Sequence, residues 1–482
     1  MNDLAGLLGH SKRIAFVWLV VNGSEGCPDV GQAPSPVLAQ PRRLCHTQAG
    51  ARGGRAKQSP PEATRTVNEG TGKAPTIIGI ARNVFFLGWV SFLTDISSEM
   101  SLSMLPLFMA NVLGVRTTII GLVEGVAETT AALTRIPAGW LSDLWGKRKS
   151  LTLIGYALSS FSKPFLYVAD SWTTVFGVRF ADRLGKGVRT APRDALIADS
   201  TAEGRRGLSF GFHRAADTAG AMLGLLGMAL IIWLTQRGDL HLHRPAYQTI
   251  VLVAIIPGLL AVLVLWLCVG ESARPRRPDA KPPSLSLRGF DRRFKLYILI
   301  VLLFTLGNSS DAFLVLRAQN LGMSALLVAL LLVVFNATKT VVATPAGALS
   351  DRLGRRAVIA FGWTFYAIIY LGFAVAHGPH TTWLLFALYG VYGGAAEGTE
   401  RALVADMVRA EERGTAYGVY NAAVGVTLLP ASLIAGVLWQ GAWGWTGLGP
   451  SAPFYFGAAM AFVAVILLLV LLRGEGKSER AA

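Results

Sequence analysis

The chain has 482 residues, of which 52% are hydrophobic and only 15% are charged. Soluble globular proteins carry about 25% charged residues, so this composition argues against a soluble enzyme or binding module. The formal net charge of +16 does not indicate nucleic-acid binding, because Lys and Arg concentrate in alternate connections between apolar segments. The three cysteines, Cys27, Cys45 and Cys268, show no spacing typical of a disulfide framework or a metal site.

Residues 1–79 differ from the rest of the chain. They are rich in Gly, Pro, Ala, Gln and Arg without periodicity, which predicts a disordered N-terminal tail. The apolar run Ile14–Val21 mimics a signal peptide but is short and precedes a long polar stretch, so we expect no targeting role. No Met occurs between Met1 and Met100. A start site assigned too far upstream therefore stays open, with Val67 as a candidate true start.

From residue 80 onward, apolar runs predict twelve transmembrane helices in two halves, an all-α membrane fold. Runs such as Tyr247–Gly270 and Phe454–Leu472 are long enough to cross a hydrocarbon core of about 30 Å. The predicted divisions are an N-terminal half at 80–270, a linker at 271–291, a C-terminal half at 292–472 and a tail at 473–482. The helices fall at roughly 82–112, 117–142, 149–169, 172–200, 205–235, 247–270, 292–320, 324–350, 357–377, 382–409, 413–440 and 452–472.

The distribution of basic residues predicts the topology. Connections on one side contain clusters such as Lys147–Lys149, Arg205–Arg206 and Arg352–Arg356, whereas the other side has little beyond Arg116, Arg237 and Arg244. Basic loops face the cytoplasm, so both termini are expected there, which requires an even number of spans. We expect a multi-pass protein of the plasma (inner) membrane in contact with membrane lipids.

The two halves repeat each other. Pro137-Ala-Gly-Trp-Leu-Ser-Asp-Leu-Trp-Gly-Lys-Arg148 matches Pro345-Ala-Gly-Ala-Leu-Ser-Asp-Arg-Leu-Gly-Arg-Arg356. Ala195-Leu-Ile-Ala-Asp199 recurs 207 positions later as Ala402-Leu-Val-Ala-Asp406, and Ser97-Ser-Glu99 loosely matches Ser309-Ser-Asp311. Repeated six-helix halves predict a substrate path at their interface near the bilayer midplane, with alternating access.

The first of these repeats resembles the signature loop of the major facilitator superfamily (MFS), and the resemblance covers roughly residues 80–472. It implies the twelve-helix MFS fold and a role of the loop in gating rather than in substrate binding. The residues that carry this expectation are Gly139, Asp143, Gly146, Lys147 and Arg148, and in the second half Gly347, Asp351, Gly354, Arg355 and Arg356.

A second resemblance lies on helix four. Arg183-Leu-Gly-Lys186-Gly187-Val-Arg189-Thr-Ala191 is similar to the Arg-x-x-Gln-Gly-x-Gly-x-Ala motif of drug/proton antiporters. Lys186 replaces the Gln and Arg189 replaces a Gly, and both departures add positive charge. The glycine motif of these antiporters on helix five is incomplete, because Gly220–Gly227 lacks its Gly-Pro pair. The resemblance favours export, with proton-coupled uptake as the alternative.

Charged residues inside predicted spans cost roughly 2.5–3.5 kcal/mol each at the helix centre, so each needs a partner or a purpose. Asp95 and Glu99 are four residues apart, as are Glu124 and Glu128, so each pair shares one helix face. Two close carboxylates do not both ionise easily, and one of each pair is expected to hold a proton. These four acids and Asp311 are the candidates for proton coupling; structural pairing with Arg183, Lys186 or Arg189 is the alternative.

Candidates for the substrate-binding central cavity are Arg183, Lys186, Arg189, Asp217, Arg317 and Lys339. The excess of cations among them favours an anionic substrate. His213 beside Arg214 is either a proton relay or a hydrogen-bonded histidine near a helix end.

No sequence motif of a membrane-embedded enzyme, a nucleotide-driven pump or a metal site is found. We therefore predict a transporter of a small organic solute, without cofactor, metal or nucleic-acid partner, that works as a monomer. A non-transporting sensor with a transporter fold is the remaining alternative, and it would tolerate neutralisation of Glu99 and Asp311.

Overall fold

The computed structural model describes residues 76–77, 79–202, 204–236, 238–271, 286–409 and 412–472. Residues 1–75 of the predicted N-terminal tail 1–79, the predicted tail 473–482 and the linker segment 272–285 lie outside these residues. The side chains at 344, 347, 348, 350–352, 397 and 398 are also outside the described set. The last part of the predicted N-terminal tail contains a short hairpin. Strands β1 (Thr76–Ile77) and β2 (Ile80–Ala81) pair antiparallel, with Thr76 opposite Ala81, directly before the first helix.

Twelve membrane segments follow, numbered α1–α12, and α7 consists of two pieces. The first six are α1 (Arg82–Leu102), α2 (Thr117–Trp145), α3 (Arg148–Ser162), α4 (Trp172–Asp199), α5 (Arg206–Gln236) and α6 (Arg244–Cys268). The others are α7a (Arg292–Gly307), α7b (Ala312–Asn320), α8 (Ala325–Leu353), α9 (Arg355–Val375), α10 (Pro379–Asp406), α11 (Arg413–Gln440) and α12 (Ala452–Leu471).

Most of these bounds lie within a few residues of the helices predicted from apolar runs. The largest differences are that α1 ends at Leu102, with two short helical pieces following at Leu105–Leu107 and Phe108–Val112, and that the predicted helix 292–320 is interrupted. By length and composition, seven segments in the described part of the chain are apolar enough to cross a membrane: α5, α6, α7, α8, α9, α11 and α12. Among the other five, α3 is short, while α1, α2, α4 and α10 carry charged residues that line an internal cavity. Their low apolarity therefore reflects inward-facing polar residues, and twelve spans are consistent with the structure.

The repeated loop joins α2 to α3 through a left-handed residue. Gly146 has φ 63° and caps α2, with its N–H bonded to the Ser142 carbonyl. In the second half, Gly354 between α8 and α9 has φ 89°. A left-handed conformation strains any residue with a Cβ, which explains the glycine in both copies. We call the end of the bundle that carries this loop the basic-loop end, and the other the opposite end.

Each half has its own packing, and two helix pairs join the halves. Helix α1 packs on α5 and α6, and α4 packs on α2 and α3; in the second half α8 packs on α10, and α9 packs on α10 and α12. Contacts between the halves are formed mainly by α2 with α11 and by α5 with α8. This arrangement leaves a space between the halves that is bordered by α1, α2 and α4 on one side and α7, α8, α10 and α11 on the other.

The α2–α11 contact is close at the opposite end. A Cβ on Gly436 would lie 2.6 Å from the Thr117 carbonyl oxygen, so the two backbones nearly touch. The Arg116 guanidinium donates to the Gln440 carbonyl (2.9 Å), and the Thr129 hydroxyl donates to the Gly425 carbonyl (2.6 Å) about midway along α2. The described hydrogen bonds between α2 and α11 all lie between the opposite end and this level, so the halves are closed there.

Candidate functional site

A cavity of about 710 Å³ lies between the two halves. Its volume is in the range of sites for small organic ligands. Among the described lining residues, seven are acidic and six are basic: Asp95, Glu99, Glu124, Glu128, Asp182, Asp311 and Glu400, and Arg179, Arg183, Lys186, Arg189, Lys339 and Arg401. Most of the candidates chosen from the sequence therefore lie around one cavity.

Part of the N-terminal wall is a network of ion pairs between α2 and α4. Arg179 binds Glu124 through two hydrogen bonds, Nε to Oε1 at 3.1 Å and Nη2 to Oε2 at 2.6 Å, and both side chains are buried. One turn further on, Arg183 Nη2 lies 3.2 Å from Glu128 Oε1. Glu124 and Glu128 therefore form ion pairs with two arginines. This agrees with the alternative in which these acids have a structural role rather than a role in proton coupling.

The same network includes Asp182 on α4. Its carboxylate accepts a hydrogen bond from the Ser159 hydroxyl and lies 3.8 Å from both Arg179 and Arg183. At 3% exposure it is held inside the protein by these contacts. Asp182 therefore belongs to the paired part of the wall.

Three other cavity acids make no ion pair in the described part of the chain. Asp95 has no hydrogen bond there, and Glu99 accepts one from the Ser103 hydroxyl of its own segment (2.6 Å). Asp311 accepts a hydrogen bond from the Tyr389 hydroxyl (2.9 Å). Carboxylates without a fixed counter-charge in a membrane cavity are the groups that can gain and lose protons at least cost.

The basic candidates on α4 differ in their surroundings. Lys186 is exposed to the cavity, and its ammonium group makes no ion pair or hydrogen bond in the described structure. Arg189 is buried, and its guanidinium lies over the Tyr156 ring at 4.4 Å from the centroid. Lys186 is thus the more available of the two cations for a ligand in the cavity.

The C-terminal wall is largely aromatic. Phe304, Phe335, Tyr389, Tyr392 and Tyr420 line it, with Phe335 stacked on Tyr389 at 5.2 Å between centroids. In this wall Glu400 accepts hydrogen bonds from Trp363 Nε1 and from the Tyr420 hydroxyl, each at 2.8 Å. The cavity therefore offers charged groups on one side and ring faces on the other.

The seventh segment is interrupted where it borders the cavity. Helix α7a ends at Gly307 and α7b begins at Ala312, and Asn308, Ser309, Ser310 and Asp311 line the cavity between them. Interrupted helices are stable in a membrane protein only where the freed backbone groups face protein or a water-filled space. Asp311 therefore lies at a break in the helix, whereas the sequence had placed it inside a continuous one.

Arg317 is not part of the cavity, contrary to the sequence-based expectation. Its guanidinium donates to the carbonyls of Phe373, Ala374 and Ala376 at the end of α9, at 3.0, 3.2 and 3.3 Å. It also bonds Ser451 before α12 and Asn320 in its own helix. The side chain thus joins α7b, α9 and α12, and its charge interacts favourably with the C-terminal end of a helix.

We expect Arg317→Met to lower the stability of the protein by about 2 kcal/mol or more, because buried carbonyls at the end of α9 lose their donor. The measurement is the apparent melting temperature of the detergent-solubilised protein, followed by tryptophan fluorescence. Arg293→Met, which removes an exposed arginine near the start of α7a, is the matched control and should melt like the parent. Equal melting temperatures for Arg317→Met and the parent would contradict this role.

Asp217 also lies outside the cavity lining. It is placed in the contact between α5 and α1, where the Ser91 hydroxyl donates to its carboxylate and His213 Nδ1 lies 3.7 Å away. The expectation that it binds substrate in the central cavity is therefore wrong in this conformation. The orientation of α5 about its own axis explains this, because Asp217 is on the face of α5 that packs on the N-terminal half rather than on the face toward the cavity.

The loop predicted to gate the transporter is a short connection between α2 and α3. Arg148 forms ion pairs with Asp143 at the end of α2 (3.0 Å) and with Asp199 at the end of α4. The second half has a similar pair, Arg355 with Asp406 at 2.6 Å. Asp406 is the counterpart of Asp199, whereas Arg355 aligns with Lys147 in the repeated loop. These contacts stay within one half, so they fix helix ends, and the gating role stays a prediction.

The other residues of the repeated loop have smaller roles in this conformation. Gly139 allows a close contact between α2 and α4, because a Cβ at this position would lie 3.2 Å from the Ala191 Cβ. Lys147 precedes α3, and Arg356 donates to the Leu469 carbonyl of α12 (2.5 Å). The side chains at 347 and 351, which include the predicted gating residue Asp351, are outside the described set.

Two buried cations were missed in the sequence. Arg179 is four residues before Arg183, and Glu124 is four residues before Glu128. Because both helices have the same spacing, the sequence could have predicted two ion pairs, one turn apart, between α2 and α4. Lys163 is 1% exposed at the end of α3 and donates to the hydroxyls of Ser97 and Ser98. No sequence signal identified it, because its partners are neutral serines on another helix.

The comparison with known families agrees with this architecture. The family model of the Major Facilitator Superfamily matches residues 87–317 and 296–482, so it covers both halves. The chain belongs to the Major Facilitator Superfamily. The predicted fold, the two six-helix halves and the assignment as a multi-pass membrane transporter are therefore confirmed.

Individual MFS relatives differ in how much of the chain they match. An MFS-type transporter of Methanocaldococcus jannaschii is 35% identical over 399 residues, which is 81% of this chain and 95% of that protein. The quinolone resistance protein NorA of Staphylococcus aureus is 24% identical over 185 residues, 38% of this chain and 46% of NorA. The crystal structure of a mutant nucleoside transporter NupG superposes with a TM-score of 0.66 at 13% identity, over 81% of this chain and 100% of that one, and shows a shared fold.

Proposed function

We propose that this MFS transporter exports a small organic solute from the cell in exchange for protons. The observation that carries the proposal is the division of the cavity acids. Glu124, Glu128 and Asp182 are held by arginines, whereas Asp95, Glu99 and Asp311 line the same cavity without an ion pair in the described residues. A carboxyl group that faces each side of the membrane in turn binds and releases a proton in each cycle.

The charge class of the solute follows from the two walls. Lys186 and the aromatic side chains of the C-terminal wall favour an aromatic or other apolar solute that carries an acidic group. With seven acids and six bases in the described lining, the cavity has no large excess of either charge. A zwitterion therefore also suits the cavity better than a hydrophobic cation does.

The direction of transport rests on two resemblances. The antiporter-like motif on α4 contributes Arg183, Lys186 and Arg189 to the cavity. NorA, a partial relative, is named for quinolone resistance, and a transporter confers resistance by lowering the concentration of drug in the cell. We place the protein in the plasma membrane, with the basic-loop end in the cytoplasm. The hydrogen bonds between α2 and α11 at the opposite end then lie on the outer side of the membrane.

The test is proton movement in energised membrane vesicles. Everted vesicles with the protein would be acidified inside, and a dye would report lumenal pH as norfloxacin (a zwitterion), salicylate (an anion) or ethidium (a cation) is added. Export by antiport predicts release of lumenal protons with norfloxacin or salicylate, and no release from vesicles without the protein. Proton uptake with solute in right-side-out vesicles would instead establish symport, and solute transport that is independent of pH would overturn proton coupling.

A further inference from the structure

A row of polar residues follows one face of α1. Ser91, Asp95, Glu99 and Ser103 recur every four residues, so they lie one above another. Asp95, Glu99 and Ser103 line the cavity, whereas Ser91, one turn nearer the basic-loop end, is 3% exposed and is not part of the lining. The row therefore leaves the cavity at Asp95 and enters the contact between α1 and α5.

Two titratable residues of α5 continue this row. The Ser91 hydroxyl donates to Asp217 Oδ1, and Asp217 Oδ2 lies 3.7 Å from His213 Nδ1. His213 is 4% exposed, and its Nε2 has no hydrogen-bond partner in the described structure. Buried polar side-chain atoms nearly always have a partner, so this ring nitrogen beside a carboxylate is a position where a proton can be bound or released.

The contact that holds these residues is tight. A Cβ on Gly224 would lie 2.7 Å from the Ile96 carbonyl oxygen, and one on Gly220 would collide with the Phe92 backbone. The two helix backbones are therefore in close contact directly after Asp217, whose own side chain is 17% exposed. Ser91 and His213 are the side chains next to Asp217 through which a proton can be passed along this contact.

The charged and titratable groups around the pair come from several helices. Within electrostatic range are Asp95 on α1, Arg193 and Asp194 on α4, and Arg214 on α5 itself, and Tyr156 on α3 lies beside Arg193. On α6, the titratable residues are Arg244, Tyr247 and Cys268. On α8 they are Lys339, which lines the cavity, and Asp351 and Arg352, whose side chains are outside the described set. Asp95 thus connects the pair electrostatically to the cavity.

We propose that Asp217 and His213 form a proton-binding site outside the solute cavity, connected to Asp95 and Glu99 through Ser91. The inference rests on the proton coupling proposed above. Asp95 gives its proton to the Ser91 oxygen, directly after a rotamer change or through one water, while the Ser91 O–H proton passes to Asp217. Asp217 then passes a proton to His213 Nδ1, and the imidazolium releases its Nε2 proton toward the basic-loop end. Each step breaks one bond to hydrogen and forms another.

The direct test needs no solute. Infrared difference spectra of the protein in lipid vesicles, taken between about pH 8 and about pH 5, report carboxyl groups that take up a proton in this range. We expect Asp217→Asn to remove part of the carboxylic-acid C=O band, and His213→Gln to shift the pH at which this part appears. The matched control is Asp170→Asn, since Asp170 is an exposed acid paired with Arg244 at the opposite end. A band in Asp217→Asn equal to that of the parent overturns the proposal.

A second readout connects the site to transport. Norfloxacin-dependent proton release should fall at least about tenfold in Asp217→Asn, which corresponds to about 1.4 kcal/mol, while norfloxacin binding to the purified variant stays within about twofold. If Asp217→Asn fails to fold, Ser91→Ala takes its place, because it keeps the volume of the contact nearly unchanged. Ser91→Ala should also lower proton release. If the parent shows no proton release with norfloxacin, export of that probe is disproved and the infrared band alone decides on the proton site. Normal release in Asp217→Asn overturns the inference but leaves proton-coupled export intact.

Discussion

Replacing Arg179 by Met is expected to destabilise the protein by about 3–5 kcal/mol, the largest stability loss that we predict for a single side chain. Arg179 is 5% exposed and makes both hydrogen bonds to Glu124, which is 4% exposed. Its removal leaves a buried carboxylate without a counter-charge, and it also weakens the surroundings of Glu128 and Asp182. The measurement is the apparent melting temperature in detergent, together with the fraction of protein recovered from the membrane.

A double-mutant cycle tests whether this loss comes from the pair. Removing both charges, as in Glu124→Leu with Arg179→Met, should recover most of the stability, because an apolar pair of similar volume needs no compensation. Arg183→Met is the comparison, since Arg183 is more exposed and shares Glu128 with Arg179. A double variant that loses as much as the two single variants together would show that the two residues stabilise the protein independently.

The general architecture was predictable because a lipid environment leaves few choices. Apolar runs of about twenty residues and the basic clusters between them define the spans, and the repeat 207 positions apart defines the halves. The spacing of four between Asp95 and Glu99, and between Glu124 and Glu128, correctly placed each pair on one helix face. All four residues line the cavity.

Three features of the site were not predictable from the spacing of residues along one helix. Asp217 and Arg317 are inside the membrane segments, but which neighbour they face depends on how the helices rotate and how deep they lie. The break between α7a and α7b contains no proline, only Asn308-Ser-Ser-Asp311, so it resembles an ordinary polar turn of a helix. The pairing of Glu124 with Arg179 rather than with Arg183 depends on the register between α2 and α4.

The largest functional effect is expected from Glu99→Gln combined with Asp311→Asn. Both acids lie in the first segment of their half, within the related sequences Ser97-Ser-Glu99 and Ser309-Ser-Asp311, and both line the cavity. Each carboxylate accepts one hydrogen bond, from Ser103 and from Tyr389 respectively, which a carboxamide oxygen can still accept. The substitutions thus remove two of the three unpaired carboxylates of the described cavity lining and conserve size and contacts. Proton release driven by norfloxacin in everted vesicles should fall at least about tenfold, or about 1.4 kcal/mol.

The matched comparisons separate proton binding from folding. Asp239→Asn changes an exposed acid at the opposite end and should leave the proton response unchanged. Glu99→Asp and Asp311→Glu keep a titratable group and should retain part of the response that the amides lose. Norfloxacin binding that survives in the double amide variant, without proton release, would show that solute and proton bind to different groups. If proton release in the double variant equals that of the parent, Asp95 is the remaining unpaired acid among the described residues of the cavity lining. Asp95, with its neighbour Ser91, would then be the site where the proton enters the transport cycle.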